Sequence, residues 1–421
     1  MEKMVIHGGE RLLGETTVGG SKNAALPMLC ATILARDLCT LRGVPGLRDI
    51  RTVKMLLEGL GVTLSAAAGD IVVDPRGLAG HEAPYEIVKT MRAGVLVLGP
   101  LLARLGRARV SLPGGCAIGA RPVDQHLKGL AKLGAEIRID HGYIEATAPH
   151  GLRGGVFCFD TVTVGGVENL MMAAALAEGE TVLENCAREP EIVALADWLR
   201  GMGAKIECDG GDVIHIVGVP ELGGVDQALI ADRIEAGTLM VAAGIAKGNV
   251  LLRNAPLANM ETVVDKLRQA GLIVEPETGG VRVVGPHRPR AVDIKTRPYP
   301  GFPTDMQAQL MALASLADGL SVIAETIFEN RFMHVLELQR MGARISIEGH
   351  SALVRGAPLL MGAQVMATDL RASASLVLAG LAAEGVTEVQ RIYHLDRGYE
   401  RLDQKLIALG AKIQRAEQDK P

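Results

Sequence analysis

Six polar or glycine positions recur along the chain at one place in the pattern: Lys22, Arg92, Gly165, Arg233, Asp305 and Arg371. Each is followed by an apolar run long enough for a buried helix. A helix N-terminus has unpaired N–H groups and a partial positive charge, so it favours phosphates and carboxylates. Four arginines, Arg92, Arg121, Arg371 and Arg397, lie at such starts or in short loops beside Gly, Ala or Asp. Arginine supplies the planar fork that binds those anions bidentately. Together these residues would form a trap for a small anion. Capping residues and solvated charges collect at helix starts as well, so each position taken alone also reads as a cap.

Two further residues could react. Cys116 sits in Leu112-Pro-Gly-Gly-Cys-Ala-Ile-Gly-Ala-Arg-Pro122, where the glycines allow close backbone approach to a ligand and Arg121 would favour the thiolate. A lone cysteine is otherwise a small buried hydrophobe. Asp305 follows Pro303 at a helix start, where an acid serves as a cap or, beside a hydroxyl, as a base. The other cysteines (30, 39, 158, 186, 208) fall in helix or strand patterns and are expected to be structural. No Cys or His spacing suggests a metal site, so neither metal nor cofactor is expected.

The elements that would position these residues come from a sixfold repeat. An apolar helix end, a glycine and a short strand recur at Gly61, Gly134, Gly203, Gly271, Gly342 and Gly410. The helix starts listed above keep the same period. Each unit reads helix, strand, helix, strand, turn, strand, with the glycine at the helix C′ position. A unit of this kind cannot bury its apolar faces alone. The sixth copy lacks its last strand, while the chain start has a surplus in Met4–His7 and Arg11–Val18. The N-terminal segment is therefore expected to complete the last unit. The expected domains are 22–230 with repeats 1–3, and 1–21 plus 231–421 with repeats 4–6.

Composition narrows the function classes. A formal net charge of −4 gives no global attraction to nucleic acid or an anionic membrane. Eleven aromatic residues in 421 leave little for base-stacking platforms. Apolar stretches fall short of the roughly 20 residues of a membrane span, and no signal-like region precedes Met4–Ile6. A cytoplasmic protein is expected.

Six segments carry a resemblance to the UDP-N-acetylglucosamine 1-carboxyvinyltransferases, a family of enolpyruvyl transferases. They are Ser21–Pro27, Leu112–Pro122, Phe302–Gln307, Glu329–Phe332, Thr368–Ala372 and Asp396–Glu400, and the resemblance spans essentially the whole chain in the same order. Its Cys loop distinguishes it from the related shikimate-pathway enolpyruvyl transferase. The resemblance implies an α/β fold, a two-lobe inside-out α/β barrel built from six repeats of about 70 residues, three per lobe, with buried helices. It implies transfer of the enolpyruvyl group of phosphoenolpyruvate to the 3′-hydroxyl of UDP-N-acetylglucosamine, with release of phosphate, the first committed step of peptidoglycan synthesis. Another enolpyruvyl transferase with a shikimate 3-phosphate acceptor, or an inactive UDP-sugar-binding paralogue, are the alternatives.

The resemblance also assigns residues. It makes Cys116 the general acid and the point of covalent adduct formation, and Asp305 the base at the 3′-hydroxyl, with Lys22 and Arg397 completing the catalytic set. Phosphoenolpyruvate would be held by Lys22, Asn23, Arg121, Arg331, Arg371 and Arg397. UDP-N-acetylglucosamine would be held by Asn23, Arg92, Arg121, Pro122, Val123, Asp124, Gln125, Thr163, Val164, Gly165, Asp305 and Ile327. The epoxide fosfomycin would alkylate Cys116. The sequence departs from the family at Gly94, where Ser is common, and Thr163 stands where the small residue varies. Both bear on loop geometry and leave the reacting groups in place.

Overall fold

A computed structural model of the chain describes residues 2–67, 69–113 and 123–417. The repeat is visible first in its glycines. Gly61, Gly134, Gly203, Gly271, Gly342 and Gly410 all have φ between 93° and 105°, a left-handed conformation that costs a residue with a Cβ but not glycine. Each ends an amphipathic helix: Arg48–Gly59, Asp124–Lys132, Pro190–Gly201, Glu261–Gln269, His334–Arg340 and Leu402–Ala408. A strand follows every one of them.

Six further helices differ in kind. They are α1 (Lys22–Ala31), α2 (Leu98–Leu105, led in by a 3-10 turn Arg92–Val97), α3 (Val164–Ala174), α4 (Arg233–Ile245), α5 (Gln307–Ala314, led in by a 3-10 turn Thr304–Met306) and α6 (Leu370–Ala382). Every residue of α4 and α5 is buried, and α6 is buried from Arg371 to Leu381. Helices apolar all round belong in a core, and Ala, Gly and Met let them approach closely. At Gly99 in α2 an added Cβ would lie 2.4 Å from the Asn169 carbonyl of α3, so only glycine fits. Burying one Leu or Met side chain contributes about 1.5–3 kcal/mol. These largely buried helices thus supply the central stabilisation of each unit.

The chain forms two compact units. Among the described residues, one covers the stretch up to Gly19 and resumes from Ala231; the other covers Gly20–Pro113 and Val123–Ile230. Among the described residues each has its own apolar core and three four-stranded mixed sheets. In every sheet an antiparallel strand pair, a hairpin in all but the sheet of the sixth repeat, adds to the strand that follows the buried helix, and a short parallel strand lies on that strand's other edge. That edge strand comes from the preceding repeat. In the 20–230 unit, Glu82–Ala83 joins Arg107–Ser111, Val156–Cys158 joins Glu180–Glu184, and Asp226–Ala228 returns to Cys39–Arg42. Three repeats thereby close into a ring of donated strands.

The other unit closes through the chain start. Strand β1 (Glu2–His7) lies between Val386–Gln390 and Lys412–Glu417, antiparallel to both, and takes the place missing from the sixth repeat. Strand β2 (Leu13–Thr17) runs parallel to Asn249–Arg253 in the sheet of the fourth repeat. The N-terminal surplus therefore does not complete the last repeat alone, as the sequence led us to expect. Its second half is the edge strand that the sixth repeat owes to the fourth.

Candidate active site

In the unit containing Ala231–Glu417 the polar cluster centres on Asp305. The 3-10 turn Thr304–Met306 enters α5 after Pro303, which fixes the approach of the chain. Asp369 caps α6 by accepting from the N–H groups of Arg371 and Ala372 at 2.9 and 3.0 Å, which sets the first turn from which the Arg371 side chain departs. Arg371 Nη2 donates to Asp305 Oδ2 at 2.6 Å, and Arg331 Nη2 donates to Asp305 Oδ1 at 2.8 Å. Both arginine side chains are 5% exposed, against 26% for Asp305. Burial pushes the Asp305 carboxyl up, but the Arg371 and Arg331 guanidiniums outweigh it and hold the acid well below the usual carboxylate range. Asp305 is ionised at neutral pH and, in this arrangement, a weak base.

A second layer fixes these groups. Gln309 Nε2 donates one proton to the Asp305 carbonyl at 2.8 Å and directs the other between the Thr238 and Tyr399 hydroxyl oxygens, each at 3.1 Å. The Arg371 guanidinium lies 5.4 Å from the centre of the Tyr399 ring, within cation–π range. Arg397 closes the 3-10 turn Ile392–Arg397, two residues before Tyr399. Arg331 Nη1 donates to the Thr304 hydroxyl at 2.8 Å. Thr304 in turn donates to Glu325 Oε2 at 2.9 Å, and Glu325 Oε1 accepts from the N–H of Ile327 at 2.8 Å. Asp305, Arg331 and Arg371 thus come together directly, and Ile327 is joined to them through Glu325 and Thr304.

In the 20–230 unit, Lys22 opens α1 behind its cap Ser21, and its ammonium is 2.7 Å from Asp49 Oδ2, with side-chain exposures of 10% and 5%. Asn23 follows as the one residue of α1 that is not buried. Gln125 Nε2 donates to Asp124 and to Asp160 at 2.9 and 3.0 Å, and the Asp160 N–H returns to Gln125 Oε1 at 3.0 Å. This reciprocal pair ties the start of helix Asp124–Lys132, just after Val123, to the loop that leads into α3. Thr163 caps α3 by accepting from Gly166 N–H at 3.3 Å, so Val164 and Gly165 form its first turn.

His126 lies under that turn. Asn169 Oδ1 accepts from Gly99 N–H at 2.6 Å, which orients the amide, and Asn169 Nδ2 then donates to His126 Nδ1 at 3.0 Å. The proton of His126 must therefore be on Nε2. Burial, and then the charge of Arg92, lowers His126 to about 4, so the ring is a neutral donor at physiological pH.

Cys116, Arg121 and Pro122 lie outside the described residues. Of the other cysteines, Cys30 and Cys39 lie in α1 and a strand, whereas Cys186 and Cys208 lie just beyond strand ends. Burial pushes Cys39 up to about 11, Cys186 up to about 12 and Cys30 higher still, which leaves them unreactive thiols at neutral pH. Cys158 is exposed.

Sequence reasoning missed Asp49, His126, Asn169, Thr304, Glu325, Gln309 and Tyr399. Two had a local signal. Thr304 adjoins the selected acid, and Glu325 is a charge placed directly after the apolar strand Leu320–Ala324.

Comparison with known proteins matches residues 6–406 to the family described as EPSP synthase (3-phosphoshikimate 1-carboxyvinyltransferase). The chain is 60% identical over 415 residues, 99% of both chains, to a UDP-N-acetylglucosamine 1-carboxyvinyltransferase of Trichlorobacter lovleyi. It is 59% identical over 419 residues, again 99% of both, to one of Anaeromyxobacter sp. strain Fw109-5. Among solved structures, the enolpyruvyl transferase NikO from Streptomyces tendae superposes with a TM-score of 0.89 at 25% identity, covering 98% of each chain. EPSP synthase from Acinetobacter baumannii superposes with a TM-score of 0.77 at 20% identity, over 99% of this chain and 100% of that one, a likeness of fold.

Proposed function

The chain belongs to the EPSP synthase family of enolpyruvyl transferases, and within it to the UDP-N-acetylglucosamine 1-carboxyvinyltransferases, and we propose that Cys116, Asp305, Lys22 and Arg397 carry its chemistry. The protein transfers the enolpyruvyl group of phosphoenolpyruvate to the 3′-hydroxyl of UDP-N-acetylglucosamine and releases phosphate, the first committed step of peptidoglycan synthesis. The observation that carries this is identity near 60% over 99% of the length of the relatives.

The reaction is an addition followed by an elimination. The acceptor oxygen bonds to C2 of phosphoenolpyruvate while the methylene carbon takes a proton, for which Cys116 is the proposed donor. Asp305 receives or orients the hydroxyl proton. The tetrahedral adduct then expels phosphate and loses a proton from the new methyl group, restoring the double bond. Lys22, Asn23, Arg121 and Arg397 are the proposed holders of the phosphate end, and Arg331 and Arg371 of the carboxylate. Asn23, Arg92, the segment 121–125, the α3 start at Thr163–Gly165, and Ile327 are proposed for the nucleotide sugar.

The ion pairs of Asp305 give this assignment a physical content. Both of its partners are the proposed carboxylate binders. When the substrate carboxylate reaches Arg331 and Arg371, each guanidinium divides its charge between two anions, and the depression of Asp305 relaxes. A carboxylate that is a weak base alone then strengthens as the substrate arrives. A cytoplasmic location fits the same reading.

Phosphate release from phosphoenolpyruvate, measured with UDP-N-acetylglucosamine and with shikimate 3-phosphate as separate acceptors, tests the function. Release only with the shikimate compound overturns it. Cys116→Ala should bind the nucleotide sugar and lose turnover; full turnover in that variant removes Cys116 from the mechanism.

A further inference from the structure

Glu325 is a carboxylate that the roles above do not use. It is 1% exposed, and among the described residues its donors are all neutral. Oε1 accepts from the Thr296 hydroxyl and from the N–H groups of Ile327 and Phe328 at 2.8, 2.8 and 3.2 Å, and Oε2 accepts from the Thr304 hydroxyl at 2.9 Å. Four hydrogen bonds from neutral groups satisfy this buried carboxyl group.

The direction of the Thr304 bond is forced. A guanidinium can only donate, so the Thr304 oxygen accepts from Arg331 Nη1 at 2.8 Å. Its one proton then goes to Glu325, which accepts. Arg331 is the branch point of the resulting network: it donates through the Thr304 hydroxyl toward Glu325 and directly to Asp305, which also accepts from Arg371. Because Thr304 occupies Nη1 of Arg331, Nη2 is the edge turned to Asp305 Oδ1.

We propose that Thr304 and Glu325 are positioning residues for Asp305, acting through Arg331. The same carboxylate holds the backbone turn at Ile327. One buried side chain therefore sets the aim of the proposed base and the seat of a proposed nucleotide-sugar contact. The inference rests on the assignment of Asp305 and Ile327 made above.

Thr304→Val keeps the shape of the side chain and removes the hydroxyl. It should lower kcat by about 10- to 100-fold, the range for losing a hydrogen bond to a charged group. The KM for UDP-N-acetylglucosamine should stay within about 3-fold, since the Ile327 turn keeps its bonds to Glu325. Thr304→Ser restores the hydroxyl and should bring kcat back to within about 3-fold of the parent. In Glu325→Gln the amide oxygen must face the three donors at Oε1, which puts the amide NH2 against Thr304 and reverses the hydroxyl. Its kcat should fall like that of Thr304→Val, and the double variant should lose no more than the worse single one, because both cut one chain.

A wild-type kcat in Thr304→Val, failure of serine to restore it, or full additivity in the double variant overturns the proposal. Should Glu325→Gln fail to fold, the Val and Ser variants decide alone. Asp305→Asn, assayed in parallel, separates the two levels. If it retains wild-type kcat, the assignment of Asp305 fails. If it is inactive while Thr304→Val is wild type, only the relay fails.

Discussion

Replacing Asp305 with Asn should reveal what its two arginines are held for. In the parent, one carboxylate with a quarter of its side chain exposed is shared by two guanidiniums that are each 5% exposed. At an effective dielectric constant near 20, a pair of unit charges at 4 Å interacts by about 4 kcal/mol, and removing one member of a buried pair costs about 3–5 kcal/mol. The exposure of Asp305 puts the expected loss at the lower end, about 3 kcal/mol. For a unit of roughly 200 residues this lowers Tm by about 6–12 °C. The variant then holds two buried cations without their shared anion, and a ligand carboxylate becomes the natural replacement. Phosphoenolpyruvate should therefore raise the Tm of Asp305→Asn by more than it raises that of the parent. Phosphate release at saturating substrates should fall by about 10²- to 10⁴-fold, the usual contribution of a general base. Scanning calorimetry at low ionic strength, with and without phosphoenolpyruvate, reads the first two effects. An unchanged Tm together with equal protection of parent and variant would refute the idea that the arginines are shared between Asp305 and the substrate.

Three further outcomes follow from buried charges and thiols. Glu235 accepts from Gly19 N–H and from Lys405 Nζ, each at 2.6 Å; burial pushes its carboxyl up, and Lys405 offsets this only in part. A raised carboxyl loses stability as pH rises above the ordinary glutamate value, so Lys405→Met should cost about 3 kcal/mol at pH 8 and less at pH 5. Thermal melts that show equal losses at both pH values would count against it. Glu168 is held well above its ordinary value by burial, with Glu191 and Glu189 adding repulsion. Its protonated form stabilises the fold below that ordinary value, and this contribution is lost as pH rises, so the Tm of Glu168→Gln should gain on the parent with increasing pH; a constant difference would sink this. Fosfomycin should label Cys116, since burial raises the Cys30, Cys39, Cys186 and Cys208 thiols. Peptide mass mapping that finds the adduct on exposed Cys158, with Cys116 unmodified, would overturn the assignment.

Local chemistry made the repeat readable. A helix that ends on a left-handed glycine and begins on a cap leaves both marks in consecutive residues, and the buried helices or their lead-in turns begin at Lys22, Arg92, Val164, Arg233, Thr304 and Leu370. Charges placed at those starts drew attention to Asp305 and Arg371 before their pairing was visible. Strand pairing leaves no such mark. β1 and β2 are equally short and β-like, and only partners far along the chain send one to the sixth repeat and the other to the fourth. The same holds for side-chain partners. Asp49 is an ordinary acid in the first turn of an amphipathic helix until the fold sets it against Lys22. His126 looks like any helix histidine until Asn169 fixes its proton.

The ring of donated strands makes the two units unequal during synthesis. The described strands of one unit all lie between Gly20 and Ile230, so its sheets can close once that stretch has emerged. The other cannot. β1 pairs with Lys412–Glu417 and β2 with Asn249–Arg253, so its last sheet must wait until Lys412–Glu417 has been made, long after β1. At about 5–20 residues per second, that delay is roughly 20–80 s. For that time the apolar face of β1, Met4 and Ile6, and its unpaired edges have no native partner. Residues that are fully buried in the finished protein are thus the ones a nascent chain must keep from pairing elsewhere.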